Sequence, residues 1–156
     1  MKEKILEAFR ELGFKLEEEE GMGYCFNYEG LNLLYMYNEN DEEFLNIALP
    51  GIVDVEEDKM LQICALLEKI NSTLKYIKAY ILGNSVWLFY ERELFGEEDL
   101  MTVISRMILH LEAGLSFARK AMTEIEETMT NDSSDDDTAE SAEEIDAEEI
   151  TDDDNE

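Results

Sequence analysis

The chain has 156 residues, of which 40 are acidic and 12 basic, a formal net charge of −28 at neutral pH. A surface of that sign excludes direct binding to phosphate backbones and to anionic bilayers, and leaves basic proteins open as partners. An apolar fraction of 45% is enough for a core that folds without staples.

The charge is unevenly spread. Residues 129–156 hold 14 acids and no base, leaving 26 acids and 12 bases on residues 1–128. This predicts one folded domain over 1–128 and an acidic tail over 129–156. In the tail Ile145 and Ile150 are the only large apolar residues beyond Met129, too few to offset ordering entropy, so disorder is expected there. No uninterrupted apolar run approaches the roughly 20 residues of a bilayer span. The N-terminal MKEKILEAFRELG is amphipathic and unlike a secretory signal, so a cytoplasmic location is expected. Cys25 and Cys64 form no metal or redox spacing and read as reduced, buried thiols.

In chain order, Ile5, Leu6, Phe9 and Leu12 recur at helical spacing and predict a helix over 2–13, with Gly13 as its stop. Residues 14–20 read as a strand whose end, Glu17 to Glu20, is charged as an unpaired edge is. Tyr24, Phe26 and Tyr28 alternate with Cys25 and Asn27, and Leu31, Leu33, Tyr35 and Tyr37 alternate beyond a Glu29-Gly30 turn. Residues 38–43 are a polar loop without calcium-loop spacing. Residues 44–49 resume as a strand, which Pro50-Gly51 is expected to end.

Asp54 and Glu57 then suggest a capping pair for a second helix, with Met60, Ile63, Cys64, Leu67 and Ile70 as its apolar stripe. The helix is expected to close at Asn71-Ser72. Residues 74–94 predict a β-hairpin, because two β-branched and aromatic runs flank Gly83-Asn84, which suits a type II′ turn. After the acid-rich stretch 96–99, Leu100, Ile104, Met107, Ile108, Leu111, Leu115, Ala118, Met122 and Ile125 continue at helical spacing to about residue 128. His110 lies in that helix without an acidic or cysteine partner at fixed spacing, so it reads as structural.

The predicted class is therefore α+β: an antiparallel meander plus a C-terminal hairpin, with three helices in the order α-βββ(β)-α-ββ-α. Within it, LLEKINSTLKYIKAYI (66–81), GNSVWLFYEREL (83–94) and EEDLMTVISRMILHLEAGLSFA (97–118) run as helix, asparagine-containing turn, hairpin and acid-started amphipathic helix. This order resembles the small α+β fold of type III secretion chaperones and of the related YbjN-type bacterial proteins. The resemblance implies a non-enzymatic acidic protein, commonly a dimer, that acts through protein contacts. Secretion chaperones of that kind hold an extended partner segment on apolar patches; YbjN-type members are linked to stress or motility regulation.

The residues themselves supply no catalytic set, no cofactor motif and no metal cluster, and no enzymatic activity is expected. The expected function is protein binding through apolar sheet and helix surfaces, to a partner or to a second copy. The candidate contact residues are Tyr35, Tyr37, Trp87 and Phe89 on strands, and Met107, Leu111, Leu115 and Met122 on the last helix. The alternative is an acidic decoy that mimics nucleic acid on a basic protein site. The tail is a second candidate contact for a basic partner.

Overall fold

The computed structural model describes residues 1–135, with side chains through residue 131. Of the predicted tail over 129–156, residues 136–156 lie outside the described residues, and 129–135, expected to be disordered, continue the last helix. Three helices and six strands occur in the order α1 (Lys2–Glu11), β1 (Glu17–Glu19), β2 (Gly23–Tyr28), β3 (Leu31–Met36), β4 (Phe44–Asp54), α2 (Met60–Thr73), β5 (Ile77–Leu82), β6 (Ser85–Glu93) and α3 (Leu100–Asp135). The strands form one antiparallel sheet in the order β1-β2-β3-β4-β6-β5. The α+β class is as the sequence predicts.

All three helices contribute to a single core on one face of the sheet. Ile5, Leu6 and Phe9 of α1, Ile63, Leu66 and Ile70 of α2, and Ile104, Met107, Ile108 and Leu111 of α3 meet alternate strand residues such as Phe26, Leu33, Tyr35, Ile47, Leu88 and Tyr90. Phe9 is fully buried, its ring 4.8 Å from Phe26 and 5.6 Å from Tyr35. The end of α1 is fixed by two backbone bonds, Gly13 N–H to Arg10 O and Phe14 N–H to Phe9 O, the pattern of a Schellman close.

The β5–β6 hairpin turns at Gly83-Asn84, and Gly83 takes φ +64, as the first central residue of a type II′ turn requires. On the far side of the molecule Gly23 opens β2 at φ +141. A Cβ placed there would lie 2.0 Å from the Tyr35 carbonyl oxygen, so the strand pair β2–β3 needs glycine at this point.

Four expectations are corrected. The strand predicted to stop at Pro50 continues to Asp54: Pro50 falls where pairing with β3 has ended and the β6 register shifts between Leu49 and Val53, so no ladder bond is lost to its missing N–H. Asp54 and Glu57 do not cap α2. Asp54 ends β4, a single 3-10 turn at Glu57–Lys59 leads into the helix, and no side chain caps it. The buried stripe of α2 is Ile63, Leu66 and Ile70, which leaves Met60 and Cys64 exposed. Cys25 is half-buried, not buried. The reason for the third correction is that α2 is apolar on more than one side, with Leu61 exposed as well, so periodicity alone does not select its inner face.

The last helix passes residue 128 and runs to Asp135, about 54 Å of helix at 1.5 Å per residue. By length and mean hydropathy its stretch Leu100–Asn131 meets what a membrane-crossing helix needs. Eight residues of that stretch, Val103, Ile104, Met107, Ile108, Leu111, Leu115, Ala118 and Ala121, are buried in the core. At its start Asp99 accepts from the Thr102 hydroxyl at 2.6 Å, and Glu98 accepts from the Phe95 and Gly96 N–H groups at 2.8 and 2.9 Å. These bonds hold Asp99 and Glu98 below the usual carboxylate range. Gly114 faces the hairpin without being required there: a Cβ would meet Leu88 Cδ1 at 3.4 Å, an ordinary contact.

Two glycine substitutions should therefore act in opposite directions in denaturant melts. Gly114→Ala relieves a mid-helix glycine and should raise stability by about 0.5–1 kcal/mol, whereas Gly23→Ala should lower it by about 1–3 kcal/mol through backbone strain. The start of α3 is testable by pH. Because Asp99 and Glu98 titrate lower folded than unfolded, their contribution is present at neutral pH and disappears as pH falls through their depressed folded values. Wild type should be more stable than Glu98→Gln/Asp99→Asn at neutral pH, and the difference should close in acid.

Candidate functional site

Helices cover one face of the sheet; among the described residues none packs on the other. The strand registers align a row across that open face: Glu17, Cys25, Leu34, Ala48, Phe89 and Lys78, from β1 through to β5. Its ends are charged and its middle is apolar. Leu34, Ala48 and Phe89 form a second, separate apolar cluster, against which Cys25, Met36 and Trp87 pack. Side-chain alternation produces this result directly, since both parities of β3, β4 and β6 are apolar and only one can face the helices.

Aromatic rings stack on one another on this face. Tyr80 stacks on Phe89 at 4.1 Å with the planes 2° apart, and Trp87 stacks on the same ring at 6.0 Å. The indole N–H of Trp87 donates to Ser85 Oγ at 3.0 Å, which fixes its orientation. Phe89 is thereby sealed by its neighbours, while Tyr80 keeps 42% of its surface exposed. Burial pushes the Tyr80 phenol above its ordinary pKa, as it does more strongly for Tyr35.

Beside the rings lies a cleft of about 410 Å³ between the turn at Gly21-Met22, the loop Asn38–Asp41 and the open face. Met36, Phe44 and Tyr80 line it with apolar surface; Asp41, Asn46 and Glu91 supply polar groups. Asn46 Nδ2 donates to Glu91 Oε1 at 2.9 Å, and Lys78 Nζ binds the other oxygen of Glu91. That arrangement leaves Asn46 Oδ1 buried without a donor. A buried acceptor in that condition costs on the order of 1–3 kcal/mol. A smaller, mostly apolar cleft of about 300 Å³ lies on the helix side, between Leu12, Phe14 and Leu109, with Ser105 and Tyr28 also lining it.

The eight sequence-predicted contact residues separate. Trp87 and Phe89 are on the open face, with Phe89 beneath Tyr80. Tyr35 points the other way, into the core under α1, 1% exposed. Tyr37 packs at the margin of that core and also lines the cleft, donating to Glu42 Oε1 at 2.8 Å with Lys2 Nζ 4.4 Å from its ring. Met107, Leu111 and Leu115 are core, and half-buried Met122 packs at the margin of the same core. In the folded chain these helix residues are already covered by its own sheet. Tyr80, Met36, Asn46 and Cys25 were not predicted. Their signal is parity: each lies on the same side of its strand as Trp87 or Phe89.

Comparison with known proteins bears on the fold. No protein-family profile matches the chain, and no curated protein does. Among solved structures, YbjN from E. coli, a proposed transcription regulator, superposes with a TM-score of 0.57 at 12% identity, over 74% of this chain and 86% of that one. The fold is YbjN-like. An uncharacterized protein from Methanothermobacter thermautotrophicus superposes with a TM-score of 0.50 at 18% identity, over 81% of this chain and 97% of that one. These likenesses are of fold, and they carry the YbjN side of the resemblance; neither protein is described as a secretion chaperone.

The two thiols report on the YbjN-like sheet. Burial, with Glu19 and Glu17 nearby, raises the Cys25 pKa, so at neutral pH it is held as the slower-reacting thiol. A thiol reagent should label exposed Cys64 first and Cys25 in a slower phase, and raising pH should accelerate the slow phase. Equal rates would show that the open face is not packed as described.

Proposed function

We propose that this chain is a non-enzymatic protein-binding module of the cytoplasm that receives an extended segment of a partner protein on its open sheet face. One observation carries the reading: three helices share one face of the sheet, while the other carries a separate apolar cluster, Leu34, Ala48 and Phe89, closed over by half-buried Cys25, Met36 and Trp87, with Tyr80 exposed beside it. An extended segment can contact several strands of such a face at once, and rigid aromatic anchors suit it at little entropic cost. The fold neighbours support a regulatory or binding role, since the one with a described role is a proposed transcription regulator.

Selection from a displayed library of random peptides against the immobilised full chain, at high salt, tests this. Enriched peptides should carry apolar and aromatic residues, and should lose binding to Trp87→Ser/Tyr80→Ser, with circular dichroism confirming that the variant is folded. Equal enrichment on the variant overturns the open-face reading. A homodimer through the same face is the competing outcome, seen as concentration-dependent sedimentation that the double substitution abolishes.

A further inference from the structure

We draw no further inference here: the strongest candidate, the mostly apolar groove between the end of α1 and the outer side of α3, lined by Leu12, Phe14, Ile108 and exposed Leu109, is an unpartnered surface cleft, and nothing in the structure shows what covers it.

Discussion

Burial of one stripe of α3 holds the molecule together. Ile104, Met107, Ile108, Leu111 and Leu115 face inward from a single helix, and that helix meets α1, α2 and the strands β4, β5 and β6. The close approach at Gly114 brings its axis near Leu88 and Ile77 of the hairpin. Lys69 of α2 reaches Glu124 of α3 at 2.7 Å, an exposed pair that orients the two helices more than it stabilises them. With all helices recruited to one side by this stripe, nothing among the described residues remains to cover the other side of the sheet.

The uncovered side follows from that allocation, and its composition is informative. A sheet with one solvated face ordinarily alternates apolar with polar. Here the outward row keeps Leu34, Ala48 and Phe89, and Tyr80 and Trp87 stack on the Phe89 ring. Polar character returns at the margins, through Glu17, Asn27, Asn32, Lys78 and Glu91. An apolar centre with a charged rim is the usual anatomy of a protein contact.

Much of the fold was legible because its signals are local. The Gly83-Asn84 turn between two β-rich runs set the hairpin and its register, and the long helical period set α3. Where signals were ambiguous, tertiary packing decided. On β3, Leu33 and Tyr35 alternate with Leu34 and Met36, so a period of two marks a strand without saying which side the helices take. Tyr35 therefore read as a surface candidate although it is core, and Met36 was passed over. The same holds for Met107, Leu111 and Leu115, whose stripe is visible in sequence while the surface it meets is not. Asn46 had only strand parity as a signal, since its partner Glu91 is 45 positions away and adjacent through the β4–β6 register.

The asparagine in the last turn of α2 has a further consequence. Asn71 Nδ2 donates to the Ala79 carbonyl at 2.9 Å, and its Oδ1 accepts from the Ala79 N–H at 2.8 Å. Ala79 lies on β5, the edge of the sheet, so the amide occupies backbone groups that would otherwise face an incoming strand. The opposite edge, β1, is three residues of glutamate and repels such an approach by charge. On β5, where Tyr80, Ile81 and Leu82 are exposed and sticky, a single side chain takes the place of a neighbouring strand. The Ala79 backbone is thus closed to an incoming strand at one edge of the sheet, and carboxylate charge discourages one at the other.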